Sequence, residues 1–266
     1  MEFFLTCIID GILVGGIYAL LGLGIVLIYK ATHIFNFAIG EMAVMGVLVV
    51  WSVMYYLGMP VWVCVVAGVA VGWLLGMLIE RLALRRLIGQ PIISSIIATL
   101  ALAIFLRGLA IAIWSANIVR FPTPIFPEEP IVLGGMVTLP TTLVGAFIVA
   151  MLCFAGFVVF FRRSSTGLAM RGVAEGHEVA QSLGIKVTTV FAITWAIAGL
   201  IGVVGGFCVA DRMAISVHEL PVMAVRAFPA VLLGGLDSIP GVLVGGLIIG
   251  VLENVSNAYI GVAFGD

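Results

Sequence analysis

The sequence predicts an all-α fold: a polytopic integral membrane helical bundle of about seven or eight transmembrane helices, counting a short or re-entrant segment near residues 222–235. Three observations carry that expectation. Hydrophobic residues make up 63% of the chain and charged residues 9%, at a mean hydropathy of +1.32, which excludes an ordinary soluble domain and a disordered chain. Apolar stretches of about 20 residues recur along the whole length, the signature of helical spans rather than of barrel strands, which alternate every second residue. Charged residues collect between the apolar runs, so their placement informs where the net charge of -1 does not. Residues 1–266 read as one transmembrane domain.

The first apolar run, Gly11–Tyr29, ends at Lys30 and a short turn through His33. The preceding MEFFLTCIIDG has neither a basic region nor a convincing cleavage site and reads as part of the mature protein. A second run, Ile34–Leu57, has Asn36 and Glu41 embedded near its start. Pro60 opens the third, Val61–Ile79, which closes on Glu80, Arg81, Arg85 and Arg86. The fourth, Pro91–Trp114, is interrupted by Arg107 and small hydroxyl residues. Between Ser115 and Pro140 stand Pro122, Pro124, Pro127, Glu128, Glu129 and Pro130, which argue against a spanning helix and for a loop outside the membrane. The fifth run, Thr142–Phe161, enters the polar interval Arg162–Lys186, and the sixth, Val187–Ala210, leaves it toward Asp211 and Arg212.

Counting crossings puts Lys30–His33, Glu80–Gln90 and Arg162–Lys186 on one side, and together they hold eight of the twelve Lys and Arg residues. The excess of positive charge assigns that side to the cytoplasm and leaves the N-terminus and the 115–140 loop extracytoplasmic. Val222–Gly235 is short for a crossing and contains Arg226 and Pro229; GGLDSIPG then supplies a turn. Both a short helix reaching the cytoplasm and a half-helix turning back inside the protein fit, and the final run, Val242–Ile260, can start from either depth. Gly68, Gly72 and Gly76, together with Gly241/Gly245 and Gly246/Gly250, recur every fourth residue and predict helices packed backbone to backbone.

Catalytic chemistry is missing from the sequence. Neither Lys30 nor Lys186 follows a glycine, so a phosphate-cradling P-loop is excluded, and no HExxH, GxSxG or metal-spaced cysteine pair occurs. Cys7, Cys64, Cys153 and Cys208 read as small residues of apolar runs, and His33, His177 and His218 lie near loops. No metal site is expected. Ionisable groups inside apolar runs are costly and normally face a cavity or a partner. That singles out Glu41, Arg107, Arg226 and Glu253, with Asn36, as possible pathway-lining residues. For Glu41 a structural role near a helix N-terminus ranks ahead of substrate contact, and for Arg107 and Glu253 an ion pair within the bundle ranks equal with pathway lining.

Three stretches carry a family resemblance. GGIYALLGLGIVLIY with NFAIGEMAVMG, in Gly11–Gly46, resembles the first two helices of permease subunits from branched-chain amino acid ABC importers. EVAQSLGI, Glu178–Ile185, looks like the E-A-A-x-x-x-G element of bacterial import permeases, matched here by Glu178, Ala180 and Gly184. AFPAVLLGGLDSIPGVLVGGLIIGVLE, Ala227–Glu253, is similar to the glycine-rich carboxyl region of the same family. The resemblance implies a second permease subunit, homologous or identical, two ABC ATPase subunits, an extracytoplasmic substrate-binding protein, and residence in the lipid of a bacterial inner membrane, with no nucleic acid partner. ATP and magnesium would belong to the ATPase subunits, with no cofactor in this chain. The ATPase-coupling loop would be 162–186, with Arg171, Glu175, Glu178, Ala180 and Gly184. A short amphipathic helix over Leu168–Leu183 would present Val173, Val179 and Leu183 to an ATPase groove.

Leucine, isoleucine and valine are the substrates the resemblance implies first; other members carry amides, urea or aromatic acids. An ATP-independent secondary transporter would instead show an internal repeat and ion-coupling carboxylates. The sequence departs from the family at Ile39, where members commonly have histidine, and at VAFGD, where they continue with one more apolar helix. On the resemblance that final helix is missing, and a natural short form, a frameshift and a partial chain all remain open.

Overall fold

A computed structural model describes residues 2–87, 90–127, 129–133 and 137–261. Its helices are, in chain order, α1 (Glu2–Thr32), α2 (Ile39–Leu57), α3 (Val61–Leu82), α4 (Ile92–Trp114), α5 (Thr141–Arg163), α6 (Ser165–Glu175), α7 (His177–Ser182), α8 (Val187–Ala210), α9 (Glu219–Val225), α10 (Ala227–Gly234) and α11 (Ile239–Ser256), which runs into a π turn over Asn257–Gly261. Seven helices among the described residues, α1 to α5, α8 and α11, are long and apolar enough to cross a membrane. Pro60, Pro91 and Pro140, in extended backbone, stand immediately before α3, α4 and α5, where the missing N–H and the ring stop each helix from extending backwards.

The central helix is α1. Apolar around its whole circumference, it is buried along most of its length against α11, α8, α5 and α10. α8 and α2 are the other largely buried spans, whereas α3, α4, α5 and α11 each keep an apolar face outward.

Two ends can be distinguished. At one, Lys30 Nζ donates to the carbonyl of Asp237 (2.9 Å), His177 meets the carbonyl of Ala31, and Leu84 joins a cluster with Ile28 and Ile34. We call this the basic end. At the other, a two-stranded antiparallel hairpin, β1 (Ile131–Leu133) with β2 (Val137–Leu139), pairs Ile131 with Leu139. An isolated bridge there joins Val119 to Ile215, and the carboxylate of Asp211 accepts from the N–H of Ile125 (3.0 Å). The 115–140 segment thus contains no spanning helix among its described residues; Glu128 and 134–136 lie outside them, as do Ile88 and Gly89 of the second basic loop.

Glycine sets the closest helix contacts. A methyl group on Gly72 would stand 2.8 Å from the carbonyl oxygen of Gly199 on α8, and one on Gly68 2.9 Å from that of Gly46 on α2, so α3 lies directly on the backbones of both. On α11 the two glycine pairs face different neighbours: Gly241 and Gly245 meet Gly234 and Ala230 of α10, while Gly246 and Gly250 meet Gly15 and Gly11 of α1. One helix therefore carries two side-chain-free grooves offset by a single residue.

Three expectations change. First, the second span begins at Ile39 rather than Ile34. Ile39 sits between Gly24 of α1 and Gly202 of α8, and Gly24 lies eight residues, about 12 Å, before the end of α1. Residues 34–38 therefore enter the bundle as an irregular segment before the helix starts. Second, the 222–235 segment resolves in favour of the helix that reaches the basic end. α9 and α10 are continuous except for a break at Arg226; their 16 residues, Glu219 to Gly234, span about 24 Å. Pro221 lies on Gly40 at the start of α2, and the following turn reaches Lys30. Third, the single helix expected over Leu168–Leu183 is two helices broken at Gly176. The expectation about the chain's end falls on residues 262–266, outside the described residues.

Candidate functional site

Glu41, Arg107, Arg226 and Glu253 form two ion pairs, and the pairing of Arg107 with Glu253 is not one of them. Arg107 of α4 contacts Glu41 of α2 (Nη2–Oε1 2.6 Å), and Arg226, at the α9–α10 break, contacts Glu253 of α11 (Nη1–Oε1 2.5 Å). Each charge finds the opposite charge on the neighbouring helix. Sequence spacing could not show this, because the pairs lie 66 and 27 residues apart.

Glu41 occupies the first turn of α2, where a carboxylate is also favoured by the helix dipole. It is buried, and with Arg107 it ties α2 to α4. Just before it, Asn36 is fully buried in the irregular entry segment. Its side-chain carbonyl accepts from the N–H of Ala38 (3.0 Å) and its amide points at the sulfur of Met42 (3.7 Å). The hydroxyl of Thr99 on α4 donates to the carbonyl of Phe35 (2.9 Å), and Phe37 stacks on Phe228 of α10 with ring centroids 4.9 Å apart. Non-helical backbone at this depth is tolerated because protein covers it and satisfies its polar groups.

The second pair borders a cavity of about 170 Å³ between α1, α8, α9 and α11. Tyr18, Arg212, Arg226, Glu253, Asn254 and Asn257 supply its polar lining, and the Tyr18 hydroxyl lies against both members of the ion pair. Sequence reading found Arg226 and Glu253 but missed Tyr18, Arg212 and the two asparagines. A tyrosine within an apolar run carries no alarm of its own, and Arg212 was read as the end of a span.

At the basic end α6 and α7 pack onto the bundle rather than hanging free. Ser164 caps α6, its hydroxyl accepting from the N–H of Gly167 (2.8 Å). Arg171 donates to the carbonyl of Phe161 and lies over that ring, 5.4 Å from its centroid. Met170, Val173 and Ala180 are buried. Val173 therefore does not face outward as expected: it lies on the face of α6 that packs onto the bundle. Val179 and Leu183 do face outward, 66% and 75% exposed, with Glu175 and Glu178 exposed beside them. Gly184 has φ +83°; its N–H donates to Gln181 and that of Ile185 reaches back to Ala180 (3.0 Å), closing α7 with a glycine in the left-handed conformation.

Among known protein families, residues 7–265 match the one described as branched-chain amino acid transport system, permease component. The chain is 30% identical to the high-affinity branched-chain amino acid transport system permease protein LivH of Salmonella typhimurium, over 99% of this chain and 89% of that protein. It is 28% identical to the corresponding permease protein BraD of Pseudomonas aeruginosa over 99% and 88%. With the probable branched-chain amino acid transport permease protein LivH of Methanocaldococcus jannaschii it shares 30% identity over 97% and 83%. The solved structure titled PsaBC from Streptococcus pneumoniae in complex with Fab has a TM-score of 0.47 at 17% identity, over 98% of this chain and 83% of that one, too distant to carry an argument.

Proposed function

This chain belongs to the permease family of branched-chain amino acid transport systems, and from that membership we propose how its parts divide the work. It is a multi-pass, non-catalytic permease subunit of an ABC transporter. We assign it import across a bacterial inner membrane: it forms one half of the pathway with a second permease subunit, receives leucine, isoleucine or valine from an extracytoplasmic binding protein, and is driven by two separate ATPase subunits that carry the ATP and magnesium.

The observation that carries the coupling assignment is the form of 162–186. A folded two-helix platform is locked to α1 through His177 and to α5 through Arg171, yet it leaves Val179 and Leu183 uncovered beside two carboxylates. An apolar pair with an acidic rim, rigidly joined to spans, suits a partner groove whose motion is passed on as a rigid-body displacement. In this reading the basic end is cytoplasmic, in agreement with its excess of Lys and Arg.

Cysteine accessibility in membrane vesicles tests it. A maleimide applied from the cytoplasmic side should label Val179→Cys and Leu183→Cys in the chain alone and fail to label them in the assembled transporter. Equal labelling in both preparations, or labelling from the outer face, would overturn the docking assignment.

A further inference from the structure

We propose that the cavity between α1, α9 and α11 is a station for one zwitterionic α-amino acid with an apolar side chain, its carboxylate on Arg226 and its ammonium on Glu253. The inference rests on the reading of the chain as an amino-acid permease and deepens it by naming where in this subunit the solute pauses.

The cavity's size sets the first limit. At about 170 Å³ it is well below the roughly 300 Å³ at which pockets for drug-sized ligands begin, and it holds the volume of about five or six waters. Charge sets the second. Arg226 and Glu253 bring one charge of each sign to the same wall; Arg212 adds a second cation, and Asp10, two turns before Tyr18 on α1, faces Arg212 with an Oδ1 atom that is buried without a hydrogen-bond partner. Asp10 does not line the cavity; set against Arg212, it leaves the Arg226–Glu253 wall with one charge of each sign, which suits a ligand with both charges and disfavours one carrying a single charge. A zwitterion can open the Arg226–Glu253 contact and replace each partner with a group of the same sign, leaving no unpaired ion behind.

The remaining wall is apolar and adaptable. Val14, Ile17 and Val209 provide branched surface, and Met213 and Met223 provide unbranched thioethers that re-pack around side chains of different shape. The backbone is interrupted on two sides: α9 and α10 break at Arg226, and α11 turns into a π turn at Asn257. Broken helices beside a polar cavity are how membrane transporters build solute sites, and π turns concentrate at functional positions.

The Glu41–Arg107 pair is placed differently: Arg107 is 39% exposed, but Glu41 is only 5% exposed and their contact joins two helices without bordering the cavity. The Arg226 and Glu253 side chains keep 43% and 26% exposure, Glu253 within a candidate span, and hydrocarbon does not tolerate such charges, so what meets them is water, solute or another polar surface.

The test uses the chain assembled with its partner permease and ATPase subunits, purified without the binding protein. Met213→Cys, with Asn257→Cys as a second reporter should the first fail to assemble, is labelled with N-ethylmaleimide and read at that residue by peptide mass spectrometry. L-leucine at about ten times its apparent Kd should slow labelling by about tenfold. 4-Methylpentanoate, which lacks the ammonium, and isopentylamine, which lacks the carboxylate, should not protect. Adding Arg226→Gln should abolish protection, and Arg226→Lys should retain part of it. Labelling unchanged by L-leucine in both reporters, or equal protection by either single-charge analogue, overturns the station. Leucine uptake by the unmodified complex resupplied with its binding protein separates the two readings: uptake without protection removes the station and leaves the transport function, whereas protection without uptake supports the station and counts against import.

Discussion

The imidazole Nε2–H of His177, the first residue of α7, donates to the main-chain carbonyl of Ala31 in the last turn of α1, at 3.0 Å. The same ring stands edge-on to His33 and to Phe191 of α8, at 6.0 and 5.2 Å between centroids. One side chain thus joins the proposed docking platform to the central helix and to the span that follows it.

That position predicts uncoupling. A single hydrogen bond of this kind contributes about 0.5–1.5 kcal/mol net, too little to unfold the bundle. His177→Ala should therefore assemble normally and hydrolyse ATP while leucine uptake falls by about tenfold, a loss of about 1.4 kcal/mol in coupling. ATPase rate and uptake measured on one preparation check it; parallel losses in both would show a folding defect instead.

Gly184 closes α7 with φ +83°, a conformation that costs most side chains about 1–2 kcal/mol and that asparagine adopts more readily. No heavy atom lies within 4 Å of where its Cβ would be, so backbone conformation and not crowding decides the outcome. Gly184→Val should release the ATPase subunits while insertion persists, and Gly184→Asn should retain them; co-purification of the ATPases with each variant distinguishes the two.

How much of this was legible in the chain depends on whether the signal was local. Apolar run length announced the seven spans, and Gly68, Gly72 and Gly76 announced their contact face, because both are written in consecutive turns of one helix. The partners of Arg107 and Arg226 were not legible, since a charge in an apolar run shows only that some counter-charge is needed. Nor was the inward position of Val173, set by which face of α6 meets the bundle, or the break at Gly176 in a segment whose periodicity looked continuous.

The Glu41–Arg107 pair predicts asymmetric effects on stability. Removing Arg107 strands a carboxylate that is 5% exposed, which costs about 3–5 kcal/mol, whereas replacing both partners with apolar side chains is often neutral. Arg107→Met should lower the thermal stability of the detergent-solubilised protein markedly, and adding Glu41→Leu should restore most of it. Equal destabilisation by the single and double variants would argue against a strut.

Backbone contact between α3 and α8 predicts intolerance of bulk. Gly72→Leu would drive a side chain into Val203 and the carbonyl of Gly199, and overpacking of a tight core typically costs about 1–3 kcal/mol. Gly108, on the outward side of α4 with nothing within 4 Å of its Cβ position, should accept leucine without loss. Size-exclusion profiles after mild heating compare the two.

Uptake of L-leucine into proteoliposomes tests the central claim most directly, with this chain reconstituted alone or with its partner permease, binding protein and ATPase subunits. The account predicts accumulation against a gradient in the complete assembly, dependent on ATP, and none with the chain by itself. Accumulation by the isolated chain without nucleotide would contradict it.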